Sequence, residues 1–137
     1  MEIIEIKQTE KLIVAEEAML QNSTFTMLCL NKSVFHHVAM VDVKIVDANL
    51  SNLEIEGAQV GGAYIHNIGM PPEDHPDYDP HAKQAPVTFE NCDLNGSTIS
   101  NCNLSNITIS GCNTSGMTIN GVLVEELLTA YRDGKVG

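Results

Sequence analysis

The sequence predicts an all-β solenoid, a coil of short strands and corners, from three regularities that run in phase. Every fifth residue from Leu20 to Ile65, and again from Phe89 to Ile119, is large and apolar at sixteen of seventeen positions, Thr114 being the exception. Two residues before each lies a second series, mostly small or apolar, with Ala18, Leu28 and Val38 early and Cys92, Cys102 and Cys112 late. Two residues after each central residue stands Gly, Asn or Asp in fourteen of the seventeen units. These residue types tolerate turn dihedrals. The two apolar positions of a unit are separated by one outward residue, which is local strand alternation. A helix is disfavoured, because Gly or Asn every fifth residue would cost up to about 1 kcal/mol per site against Ala. The physical solution is a stack of short strands and corners, with turns about 4.8 Å apart.

Composition agrees with that architecture. The chain has 137 residues, of which 43% are hydrophobic, yet it has six aromatic residues, no Trp and twelve Asn. A core of this kind is made from small and aliphatic side chains in repeated slots. The formal charge of −11 excludes a generic binder of the phosphate backbone, which needs a basic face. It leaves solubility, a basic protein partner or a cation. No apolar run approaches the roughly 18 residues of a membrane span, and the first seven residues do not open a secretion signal. Four Cys do not demand a disulfide framework, so a reducing, cytoplasmic setting is expected.

The elements follow in order along a single expected domain. Residues 1–17 form an N-terminal cap in which Ile3, Ile4, Ile6 and Leu12–Val14 suggest short β-strands. Residues 18–67 are the first run of repeats and 87–121 the second. Between them, 68–86 contain all five prolines, four acids and two of the five His. Proline donates nothing to a β-ladder, so this stretch is a loop insertion and not ordinary coil. Loops of this length inside a compact domain are usually functional or disordered. Residues 122–137 are the C-terminal cap, where Leu123, Leu127, Leu128 and Tyr131 have near-helical spacing. Acids come early there and Arg132 late, which suits a helix dipole.

The units Ala48-Asn49-Leu50-Ser51-Asn52, Cys92-Asp93-Leu94-Asn95-Gly96 and Cys102-Asn103-Leu104-Ser105-Asn106 resemble the pentapeptide-repeat family, whose consensus is A(D/N)LXX. The resemblance implies a right-handed quadrilateral parallel β-helix with four pentapeptides per coil. Seventeen units then give about four coils. Residues twenty apart would stack on one wall: Phe25, Ile45 and Ile65 in one ladder, Cys92 and Cys112 in another, with Cys102 on the opposite wall. The ladder Cys are expected to stay reduced, as small hydrophobes, because their side chains would run parallel and not toward one another. Cys29 falls on an outward position and is the more accessible thiol. Thr114 is expected to be a hydrogen-bonded core hydroxyl. Val41, Lys44 and Met27 depart from the usual residue types, so corners in the first run are expected to be less regular.

Functional chemistry is sparse. There is no P-loop, no GxSxG elbow and no His-Glu-x-x-His, so neither a catalytic residue nor a cofactor-binding residue is assigned. In the loop, His75, Asp77, Asp79 and His81, beside Asp74 and His66, have the donor types of a cation set. Acids and His spaced by prolines are also ordinary in a solvated loop, and no metal is assigned. With Tyr78, the same residues form a candidate interaction loop. His36-His37 reads as a surface pair at a corner. The Asn-x-Ser/Thr triplets, such as Asn106-Ile107-Thr108, follow from repeat composition and gain meaning only on secretion.

The reading is therefore a non-catalytic protein-interaction or scaffold module, with a protein partner and a homodimer through the C-terminal cap as expectations. No direct contact with nucleic acid or membrane is expected. One alternative comes from the family, some of whose members imitate duplex DNA with an acidic rod and bind type II topoisomerases. Charge distribution weighs against it. Residues 18–67 and 87–121 carry −2 each, while the ends and loop carry −3, −1 and −3. Duplex DNA has one charge per about 1.7 Å. A metal-binding or other activity of the loop is the second alternative.

Overall fold

The computed structural model describes residues 2–136. The chain divides into two units, Met1–Gly62 and Ala63–Gly137, and the division falls just before the proline loop. Each is built on the same local device. All seventeen residues placed two after a central residue adopt positive φ, from Asn22 at 62° to Gly121 at 81°. This includes Met27, Lys32 and His37, whose side chains disfavour that region. Glu17, at φ 50°, carries the same corner one unit upstream of Leu20. The corners are the most regular feature of the molecule.

In the second run, every second corner is closed by a hydrogen bond. The amide of Ser97 donates to the Leu94 carbonyl at 3.0 Å, Ile107 to Leu104 at 3.2 Å and Met117 to Thr114 at 3.0 Å. With positive φ at their third residues Gly96, Asn106 and Gly116, these are turns of the type II kind. In the first run Leu20, Leu30 and Leu50 accept the corresponding bonds from Ser23, Ser33 and Leu53, whereas the Met40 and Val60 corners are not closed among the described residues. The first run is thus the less regular one.

Regular secondary structure is confined to the C-terminal end. Strand β1 (Thr118–Ile119) pairs antiparallel with β2 (Val122–Leu123), with Thr118 opposite Leu123 and Ile119 opposite Val122. Asn120 and Gly121 connect them with φ of 49° and 81°, both positive, as a two-residue type I′ turn requires. Helix α1 (Val124–Val136) follows directly and is tied back by the Val124 amide donating to the Met117 carbonyl at 2.9 Å. Glu125 and Glu126 in its first turn and Lys135 in its last oppose the helix dipole favourably. Lys135 Nζ lies 4.7 Å from the Tyr131 ring centroid.

The expected C-terminal helix is therefore present, preceded by a hairpin that the repeat pattern does not signal. The strands expected around Ile3–Ile6 and Leu12–Val14 are not formed, and those side chains are exposed. An apolar segment becomes a strand only when a partner satisfies its backbone, and neither segment has one here. The ladder bonds of stacked coils are likewise not made among the described residues; backbone bonds outside the hairpin and helix close turns. The apolar central residues keep between 46% (Leu104) and 67% (Ile65) of their surface in solvent. Reduced exposure is found at the junction of hairpin and helix, at Thr114, Met117, Leu123 and Val124, and in the loop at Pro71 and His75. The structure thus shows the corners of the expected coil, without its stacked walls.

Candidate interaction surfaces

The corners determine which side chains the repeats display. In the second run, the residue before each hydrogen-bonded turn is Asp or Asn, and its side chain organises that turn. Asp93 Oδ1 accepts from the Asn95 amide, Asn103 from Ser105 and Asn113 from Ser115, each at 3.0 Å. Asn49 does the same for Ser51 at 3.1 Å and also accepts from the Ser51 hydroxyl at 2.6 Å. These are Asx turns, so the outward amides and carboxylates are engaged by their own backbone. Thiols alternate with them in register. Cys92 Sγ donates to the Glu90 carbonyl at 3.3 Å, Cys102 to Ser100 at 3.2 Å and Cys112 to Ser110 at 3.3 Å.

The repeating unit of the second run is accordingly ten residues, Cys-Asx-x-x-(Gly/Asn)-x-Thr-Ile-x-(Asn/Gly), written three times from Cys92 to Gly121. The five-residue consensus conceals this, although the spacing of Cys92, Cys102 and Cys112 signals it. All four thiols are exposed, so Cys29 is not set apart by its outward position.

The proline loop is a chain of turns. The His75 amide donates to the Pro72 carbonyl at 2.9 Å, Tyr78 to His75 at 3.0 Å and Ala82 to Asp79 at 3.2 Å. Two candidate ligands are used inside these turns. Asp79 Oδ1 accepts from the His81 amide at 2.9 Å, and His75 Nδ1 accepts from the Asp77 amide at 3.1 Å. An accepting Nδ1 places the imidazole proton on Nε2. The Asp77 carboxylate lies 4.0 Å from the same Nδ1 and is 87% exposed. Asp74 is exposed, and Tyr78 retains 38% of its surface in solvent. Outside the loop proper, His66 stacks on Tyr64 with ring centroids 4.1 Å apart and its Nδ1 lies 3.1 Å from the side-chain Nδ2 of Asn67. His36 and His37 form a second exposed ring pair, at 4.0 Å. Among the described residues, no three His, Cys, Asp or Glu side chains converge as a metal set.

Two open depressions mark the surface. One follows α1 beside Glu125, Glu126, Thr129, Ala130 and Asp133. The other is lined by Asn31 and Lys32 on one side and Asn49, Ser51 and Asn52 on the other. Asn31 and Ser51 are twenty residues apart, as are Lys32 and Asn52, so equivalent corners four units apart border one space. No helix among the described residues is long and apolar enough to cross a membrane.

Comparison with known proteins agrees with the local geometry. Residues 87–122 match the Pentapeptide repeats family in eight copies, over the stretch where the corners and Asx turns are most regular. Neither the curated proteins nor the solved structures gave a match. Five-residue units, left-handed corners and an eightfold match coincide over one stretch: residues 87–122 are similar to the Pentapeptide repeats family.

Proposed function

We propose that the chain is a non-catalytic interaction module in which pentapeptide coils form a scaffold and the proline loop, residues 68–86, contacts a protein partner. The observation that carries this reading is the occupation of the corners. Seventeen left-handed positions in the predicted register commit the repeats to a single structural task. The Asx side chains beside them close turns and are not arranged as acids or bases. The loop, by contrast, departs from the repeat and holds Tyr78 between two acids on a chain of turns.

The scaffold proposed is the right-handed, four-unit coil. The space shared by Asn31–Lys32 and Asn49–Asn52 supports it, because corners twenty residues apart are what four units per turn bring together. Closure removes the remaining solvent contact of the central Leu, Ile, Val and Phe side chains. Full burial of such a side chain is worth about 1.5–3 kcal/mol, so the exposed half of each still has roughly 1 kcal/mol to gain. Helix α1 then covers one end of the coil, and its Leu127, Leu128 and Tyr131 face is where two copies would meet. A repeat stack needs such an end cap. A cytoplasmic setting is part of this reading, supported by a Cys content that demands no disulfide framework and by the net charge of −11.

The test is affinity capture of a partner with the intact chain and with a chain whose residues 68–86 are replaced by a short Gly/Ser linker. The loop reading predicts a partner recovered by the first and lost by the second. Recovery of the same partner by both contradicts a loop contact, and recovery by neither contradicts an interaction module.

A further inference from the structure

The chain contains two Asn-Gly pairs, Asn95-Gly96 and Asn120-Gly121, and the structure holds them differently. An asparagine followed by glycine carries its own nucleophile, because no β-carbon hinders the approach of the glycine nitrogen to the side-chain carbonyl carbon. Asn95 and Gly96 are the central residues of the turn that the Ser97 amide closes on the Leu94 carbonyl at 3.0 Å. Both are exposed, and a β-carbon placed on Gly96 would meet no atom within 4 Å. The Gly96 amide and the Asn95 carboxamide make no hydrogen bond among the described residues. The Asn49, Asn103 and Asn113 carboxamides, by contrast, are held by their own backbones and precede Leu or Thr.

Asn120-Gly121 has the same residues in a stronger frame. Strands β1 and β2 pair on either side of it, with Ile119 opposite Val122, and the Val124 amide is bonded to the Met117 carbonyl behind it. Attack on the side chain requires rotation about the asparagine Cα–C bond, so the turn must open first. The lightly held turn opens more often than the hairpin. We propose that Asn95 is a site of spontaneous deamidation, with Gly96 as its intramolecular nucleophile. The Gly96 nitrogen bonds to Cγ of Asn95, its proton passes through water to the carboxamide nitrogen, and ammonia leaves a five-membered succinimide. Water then opens the ring at either carbonyl, giving aspartate or isoaspartate at position 95. Water is the only co-reactant, and no oxidation state changes. Isoaspartate routes the main chain through the side-chain methylene, so the turn from Leu94 to Ser97 gains an atom and loses its closing bond. The change is one-way, confined to one corner, and adds a negative charge two residues from Asp93.

The experiment ages the full chain at neutral pH and physiological temperature and locates each gain of one mass unit by fragmentation mass spectrometry, with isoaspartyl methyltransferase labelling to count isoaspartate. Asn95 is expected to convert about tenfold or more faster than Asn120, the factor that follows when opening the hairpin breaks one further hydrogen bond. Asn95→Gln, whose longer side chain closes a less favourable ring, is expected to stay intact at position 95. The Ser97 amide is expected to exchange freely in the isoaspartate fraction and slowly in fresh protein. Conversion of Asn120 as fast as Asn95, or of Asn95 no faster than Asn103, overturns the site. A Ser97 amide equally protected before and after conversion overturns the opening of the turn.

Discussion

At the scale of single residues, this chain is governed by φ. A left-handed corner costs an ordinary L-residue roughly 1–2 kcal/mol and costs glycine almost nothing, and fourteen of seventeen corners carry Gly, Asn or Asp. Gly116 sits at φ 71°, and a β-carbon added to it would meet no atom within 4 Å, so a side chain there meets strain and no clash. Gly116→Ala is expected to destabilise by about 1–2 kcal/mol in urea unfolding. Gly61, one residue before a corner, has no positive φ and equally open surroundings. Gly61→Ala should leave stability unchanged or raise it by about 0.4–1 kcal/mol, by restricting the unfolded chain. Equal loss from both substitutions would mean that the corners are not the strained positions. Met27, Lys32 and His37 hold the same conformation without the favoured residue types, which shows that the register of the repeat outweighs local preference there.

At the scale of elements, the hairpin joins the repeat to its cap. Asn120-Gly121 serves at once as the last corner of the register and as the type I′ turn of β1 and β2. Gly121→Val should loosen that turn and lower the melting temperature of α1, read as helical circular dichroism, whereas Asn120→Gly should leave it unchanged. Persistence of helix melting at its original temperature in Gly121→Val would show that α1 forms without the hairpin. The helix is legible in the sequence because Leu123, Leu127, Leu128 and Tyr131 recur at its period. The hairpin is not, because its Asn-Gly pair reads equally well as one more corner. Strands are expected at Ile3–Ile6 and Leu12–Val14 because apolar, β-branched residues favour them, but a strand depends on a partner that composition does not specify. The alternation of closed and open turns is also hidden, since a five-residue consensus averages two kinds of unit. The loop residues His75, Asp77, Asp79 and His81 are conspicuous by type, yet their hydrogen bonds run back into their own turns. Residue type marks a possible ligand; only geometry decides where its lone pairs point.

At the scale of the whole molecule, the charge of −11 has a different meaning from the one its size suggests. Residues 18–67 and 87–121 carry −2 each, too little for a continuous imitation of duplex DNA, and the ends and loop carry the remainder. The proposed function gives the repeats to scaffolding and the loop to recognition, and this distribution of charge supports it. That assignment depends on four units closing each coil, because only then do the half-exposed central residues find partners and the walls become flat. The most direct measurement is solution NMR on the full chain, reading side-chain contacts and amide protection in the second run. The four-unit coil predicts contacts between the methyl groups of Ile99 and Ile119, twenty residues apart, with slow exchange at the strand amides between corners. Contacts limited to neighbouring units, with free exchange throughout 87–117, would contradict it.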